Sequence, residues 1–245
     1  VMEFRGSSVY DQEGFFENYF KRRDRVDSPN NAIEGPVMWE LIDGFEGKSI
    51  LDLGCGDGSF GKDLLEKGAG HYTGVEGSVQ MAEAAERHLD GGNAEVIRET
   101  MESFPYPEER FDIVTSRFAI HYVADLLQLF KNVHRTMKNG GKFVFSVQHP
   151  LTTSSFDSKQ SGDKRGNWIV DDYFIEGERK EPWIDRVVVK QHRTIEHYFE
   201  ALTQSGFTVT ALREGTPRRE HFTSEEEFLR RQRIPVVLVF GCVKK

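Results

Sequence analysis

The sequence predicts an α/β protein with a mostly parallel sheet and helices on both faces, and three observations carry that reading. From residue 48 onward short apolar runs alternate with amphipathic stretches, glycines at 68, 91–92, 140–141 and 206 mark several joints between them, and one apolar run leads straight into a glycine-rich turn. Strands separated by helices need crossover connections, and crossovers produce parallel sheets. A chain of 245 residues is long enough to bury such a core as one domain.

Taken in order, Phe15, Phe16, Tyr19 and Phe20 recur at helical spacing and give an amphipathic helix with an aromatic face. Ser28-Pro29-Asn30-Asn31 through Gly35-Pro36 separates it from a second helix carrying Val37, Leu41 and Ile42. Strands follow over 50–53, 72–76, 94–98, 111–116 and 142–148, with helices over 60–67, 79–89 and 126–137. The stretch 150–191 breaks the rhythm: it is polar and turn-rich, and reads as a cap over the sheet edge. A helix over 194–204 and strands over 207–212 and 236–243 close the chain. The expected organisation is a single domain, with an N-terminal lid at 1–46, a cofactor-binding core at 47–149, the cap at 150–191 and a closing helix and strand pair at 192–245.

Composition narrows the partners. There are 32 basic and 40 acidic residues, a formal charge of −8, and the mean hydropathy is −0.54. Nucleic-acid binding generally leaves a basic stripe, and the one dense basic run near the start, Lys21, Arg22, Arg23 and Arg25, reads as a solvated helix face. No apolar run approaches the roughly 20 residues a membrane span needs, and the first residues do not resemble a signal peptide. Cys55 and Cys242 are too few for a disulfide framework, and no His or carboxylate spacing suggests a metal site. The expectation is a cytoplasmic monomer or weak homodimer whose partner is a small molecule, without nucleic acid, membrane or metal.

The sharpest feature is Ile50-Leu51-Asp52-Leu53-Gly54-Cys55-Gly56-Asp57-Gly58-Ser59-Phe60-Gly61, a strand, a glycine turn and a helix start. Glycines admit positive φ and close ligand approach, and the helix start offers free N–H groups, so this is a nucleotide-type site at a strand's carboxyl end. By letter Gly56-x-Gly58-x-x-Gly61 also fits a nicotinamide-dependent oxidoreductase. Asp52 weighs against that reading, because a carboxylate before the turn favours a positively charged ligand over a pyrophosphate. Glu76, expected at an exposed strand end, stands where a carboxylate accepts from both ribose hydroxyls, as either cofactor would require.

These residues resemble the class I S-adenosylmethionine-dependent methyltransferases, over most of the chain. Residues 50–58 are similar to their first motif, and Gly74-Val75-Glu76-Gly77-Ser78 to the ribose-binding turn. Phe104-Pro105-Tyr106-Pro107 through Phe111-Asp112 is similar to the approach to their fourth strand, and Asn139-Gly140-Gly141 to the entry of the fifth. The resemblance implies a Rossmann-like seven-stranded sheet with an antiparallel last strand, S-adenosylmethionine as cofactor and S-adenosylhomocysteine as product. It implies that Asp52 with Gly54, Cys55 and Gly56 holds the methionine ammonium, and that Glu76 holds the ribose. Gly77, Ser78 and Met81 would border the adenine, Thr100, Met101 and Glu102 would lie beside it, and Ser116 would complete the cofactor set. Thr100 stands where many members carry Asp. The first 36 residues resemble the lid of a bacterial subgroup acting on small metabolites of secondary metabolism, toxoflavin-type azapteridine N-methyltransferases among them. Tyr19 and Arg23 would then enclose the methionine end and Tyr10 would face the acceptor; the plain alternative is an aromatic face packed on the sheet.

Ligands of such sheets bind at the strands' carboxyl edge, which brings forward Arg117, His121 and Tyr122 after the fourth strand and His149 after the fifth. His121 is the first candidate for base or orienter and His149 the second, each with the alternative of a backbone-bonded structural histidine. Trp168, Tyr173, Phe174 and Trp183 would roof a flat, apolar pocket for an aromatic or heterocyclic acceptor methylated on nitrogen or oxygen. A non-catalytic module that binds S-adenosylmethionine is the remaining alternative.

Overall fold

The computed structural model describes residues 2–159, 165–183 and 186–245; Val1 and two pieces of the expected cap, 160–164 and 184–185, lie outside the described residues. The chain opens with β1 (Glu3–Arg5), a 3-10 turn (Gly6–Asp11) and α1 (Phe15–Arg23), then a π-turn (Asn30–Glu34) that runs into α2 (Gly35–Leu41). The alternating part comprises β2 (Ser49–Leu53), α3 (Ser59–Glu66), β3 (His71–Val75), α4 (Val79–His88), β4 (Ala94–Ile97), β5 (Phe111–Arg117), α5 (Leu126–Thr136) and β6 (Met137–Gln148). After it come α6 (Pro150–Thr153), β7 (Gly177–Trp183), β8 (Arg186–His192), α7 (Ile195–Gln204), β9 (Phe207–Arg213), α8 (Glu225–Arg231) and β10 (Val237–Lys244).

The main sheet has seven strands in the order β4-β3-β2-β5-β6-β10-β9. Strands β4 through β6 pair in parallel, and β10 lies antiparallel to both β6 and β9, which is the Rossmann-like arrangement expected. Local chemistry sets the elements. Ser78, Asp125 and Thr194 cap α4, α5 and α7, each side chain accepting from the backbone N–H three residues on. Gly61 lets α3 lie directly on β3, since a Cβ there would come within 2.3 Å of the Tyr72 ring. On the other side Phe143, Phe145 and Phe240 stack across β6 and β10 in the largest apolar cluster.

Two parts differ from the sequence expectation. The 150–191 stretch is not simply turn-rich: β7 and β8 form an antiparallel pair, and β1 adds to β8 in parallel to make a second, three-stranded sheet. Its local signal, Val187-Val188-Val189, is short and sits inside a polar context, and the partner strand lies at the far end of the chain. The segment between β9 and β10, which the hydrophobic pattern left unassigned, contains α8, capped by Ser224.

Candidate functional site

The strand order reverses between β2 and β5, and at their carboxyl ends a cleft of about 350 Å³ opens over the glycine turn. Asp52, Gly54, Cys55, Gly56 and Arg117 line it from the sheet, and Tyr19, Arg23 and Asn30 from the N-terminal segment. Gly54 has a φ of +72° and a Cβ there would meet Ala119 Cβ at 2.6 Å, so the turn can form only without a side chain at this position. Gly56 has a φ of +59° and no atom lies within 4 Å of where its Cβ would be, which leaves room above the turn. Asp52 is buried and accepts from Tyr72 Oη at 2.6 Å and Thr115 Oγ1 at 3.0 Å. Burial pushes its pKa up against the pull of those two bonds.

Glu76 is not at an exposed strand end, being only 6% exposed. Its Oε2 accepts from Gly56 N and its Oε1 from Ser78 N, both at 2.8 Å, so it ties the glycine turn to the start of α4. Burial raises its pKa to about 7 despite these bonds. Each carboxylate oxygen keeps a second acceptor position.

The N-terminal segment is fastened over this region at three points. Asp11 Oδ1 accepts from Ser78 Oγ at 2.6 Å and Gln80 N at 3.0 Å, at the start of α4. Arg23 grips Asp57 with two nitrogens, at 3.2 and 3.1 Å, and lies 4.4 Å from the centre of the Phe20 ring. Farther on, fully buried Glu34 holds Arg117 through Nε and Nη2 and accepts from Ser146 Oγ at 2.8 Å. The expected solvated basic face therefore needs correcting, because Arg23 is turned inward and paired.

A larger cavity, about 560 Å³, lies beside the cleft and shares Tyr19, Arg23 and Asn30 with it. Tyr10, His121, Tyr122, Trp168 and Trp183 are in its walls. Tyr10 and Tyr19 make edge contacts with each other and with Trp183, so the aromatic face of the lid packs on the small sheet and lines the cavity at once. His121 Nδ1 accepts from Gln148 N at 3.3 Å, and burial, then nearby Lys190, pushes its pKa well below the usual value. The ring is neutral, with its proton on Nε2. The wall is not apolar as expected. Buried Lys190 is bonded to Glu181 and lies 4.6 Å from the centre of the Trp183 ring; Lys159 also reaches Glu181, at 2.6 Å. Burial alone would raise the Glu181 pKa, but the two lysines bring it down to about 2.

Several expected site residues lie elsewhere. His149 lines neither space: its Nδ1 accepts from Leu151 N and caps α6, and its Nε2 meets Glu214 at 2.8 Å. Tyr173 packs edge-on against His192 and Phe174, and Phe174 is itself exposed, so neither joins the roof. Arg117 belongs to the smaller cleft. Met81 is core on α4, and Ser116 donates to Leu53 O, stitching β5 to β2. Gly77 lies between Ser7 and Thr100: a Cβ on Gly77 would be 2.5 Å from Ser7 Oγ and 3.3 Å from Thr100 Cγ2. Met101 comes near Gly54, whereas Glu102 is exposed. Sequence reasoning missed the Glu181–Lys190 pair and the arginines of α8. The run Arg230-Arg231-Gln232-Arg233 was the available signal for the latter.

A mostly parallel sheet with its glycine turn and two acids at the switch point, under an N-terminal segment fastened over it, defines a nucleotide-cofactor α/β protein. Comparison with known proteins makes this specific. Residues 51–145 match the family model described as Methyltransferase domain. A solved S-adenosylmethionine-dependent methyltransferase from Mesorhizobium loti is 31% identical, with a TM-score of 0.79 over 86% of this chain and 97% of that one. A structure from Listeria monocytogenes assigned to the same class is 29% identical, with a TM-score of 0.76 over 86% of this chain and 98% of that one. An uncharacterized protein of Haemophilus influenzae is 33% identical over 217 residues, 84% of this chain and 85% of its own length. The chain belongs to the S-adenosylmethionine-dependent methyltransferases, and S-adenosylmethionine is its cofactor.

Proposed function

We propose that this enzyme methylates a nitrogen or oxygen of a small metabolite bound in the 560 Å³ cavity. The observation that carries the reading is the shared wall of Tyr19, Arg23 and Asn30, which sets a ligand in the cavity next to one over the glycine turn. The cleft fits the cofactor: Asp52 offers a carboxylate to the methionine ammonium, Arg117 and Arg23 offer cations to its carboxylate, and Glu76 has acceptor positions left for ribose hydroxyls. When bound, S-adenosylmethionine supplies an electrophilic methyl group, which passes to the acceptor lone pair by in-line displacement as the sulfur–carbon bond breaks.

The protein's part is to align the acceptor and exclude water, and the lid with its aromatic contacts to Trp183 does both. His121, neutral and carrying its proton on Nε2, orients the acceptor as a hydrogen-bond donor and is a poor base. Thermal-shift measurements with S-adenosylhomocysteine, NAD and NADP test the cofactor side; a shift with NAD alone would overturn the assignment. Incubation with S-adenosylmethionine and metabolite pools tests the acceptor side, the expected result being S-adenosylhomocysteine formed together with a product heavier by one methylene unit.

A further inference from the structure

The large cavity is cationic in a protein that is acidic overall. The chain has 32 basic and 40 acidic residues, yet Arg22, Arg25, Lys159, Arg165, Arg230 and Arg231 stand in the described wall against Glu181 and Glu227. Glu181 is already shared by Lys159 and Lys190. Glu227 lies 3.7 Å from Arg230 and 3.8 Å from Arg231, too far for hydrogen bonds, and the Nε of each arginine is buried without a hydrogen-bond partner. Their side chains are only 19% and 13% exposed. Arg230 also lies over the ring of Trp168, at 5.6 Å, which holds its guanidinium in place.

This arrangement is unfavourable as it stands. Burial, then Arg230, lowers the pKa of Arg231 to about 10, with Arg25 adding to the effect, and burial with Arg230 nearby lowers that of Arg165. Buried guanidinium donors without partners and like charges around one space are both relieved by an anion. Planar guanidinium forks match phosphate and carboxylate oxygens in pairs. A neutral heterocycle such as an azapteridine would stack on Trp168 or Trp183 and leave the charges as they are. Gln148 adds a complementary group, because its Oε1 is buried in the same wall with no partner and can accept from an amine or hydroxyl.

We infer that the methyl acceptor is an anion, a small metabolite whose phosphate or carboxylate is held by Arg165, Arg230 and Arg231, with its reactive atom turned to the wall shared with the cofactor cleft. The inference rests on the reading of this cavity as the acceptor site, and the test separates the two by measuring binding without turnover. The full chain, saturated with S-adenosylhomocysteine, is titrated calorimetrically with inorganic phosphate and, separately, with succinate, at constant ionic strength set by sodium chloride. Saturable binding of either anion is expected, with the affinity lowered about tenfold or more in Arg231→Gln and in Arg165→Gln. The affinity for S-adenosylhomocysteine should be unchanged in both variants, and circular dichroism checks that each folds. The arm that binds tells phosphate from carboxylate. No saturable binding of either anion, or equal affinity in wild type and both variants, overturns the inference. Failure of the wild type to bind S-adenosylhomocysteine would instead strike the methyl-transfer reading.

Discussion

Glu76 is half-ionised near neutrality, and that follows from its position more than from its neighbours. Burial favours the protonated acid and the backbone N–H groups of Ser78, Gly56 and Gly77 favour the carboxylate, with the balance at about 7. A raised carboxyl pKa stabilises the folded chain below the unfolded value of about 4.5, and that contribution is lost as pH rises through about 7. Ribose hydroxyls would donate to the carboxylate, so cofactor binding takes the opposite sign. Affinity for S-adenosylhomocysteine should weaken about tenfold from pH 8 to pH 6 and level off above pH 8. Glu76→Gln should bind more weakly and flatten that dependence; calorimetry across the range gives both. His121 differs in that burial keeps it neutral throughout. Replacing it by Gln should lower kcat/KM for the acceptor by less than about tenfold at saturating S-adenosylmethionine and leave the shape of the wild-type pH profile unchanged, whereas a loss beyond about 10³-fold would make it the general base.

At the scale of elements, the N-terminal segment is part of the architecture and not a detachable cover. Val9 and Phe15 are buried against Val188, β1 pairs with β8, and Asp11 sits at the start of α4. Removing residues 1–25 would therefore expose the small sheet as well as open the cleft. A gentler change is informative: Asp11→Ala removes an accepting side chain from the helix start and should cost about 1 kcal/mol. Limited proteolysis should then cut the segment faster than in the wild type, and S-adenosylhomocysteine should restore protection. The main-sheet elements were legible in the sequence because each has its own period and several are closed by glycines, as at Gly68 after α3 and Gly91-Gly92 after α4. The small sheet was not, because β7 and β8 lie in a polar stretch and the pairing of β8 with β1 spans most of the chain. Site residues divide the same way. Asp52 and the glycine turn are contiguous motifs, while Glu181–Lys190 and Arg230 gain meaning only when β7, β8 and α8 meet around one cavity.

For the molecule as a whole, the Glu34–Arg117 pair joins the parts. Glu34 ends the N-terminal segment, Arg117 ends β5, Ser146 belongs to β6, and Arg117 also lies 4.7 Å from the centre of the Phe60 ring on α3. Its guanidinium lines the cleft over the glycine turn near Asp52, so a change at Glu34 reaches the proposed cofactor site through a residue that faces it. Glu34→Gln leaves Arg117, 24% exposed, without its charge partner; breaking a fully buried pair costs about 3–5 kcal/mol, and the loss here should be smaller because solvent reaches the guanidinium. Replacing both, in Glu34→Gln with Arg117→Gln, removes the stranded charge and should recover most of that loss in thermal or urea unfolding. The double variant should nevertheless bind S-adenosylhomocysteine less tightly than wild type, because the cleft has lost a cation that the ligand's carboxylate would meet. If the pair were only a structural clamp, stability and cofactor affinity would recover together, and the assignment of Arg117 to the cofactor would fall.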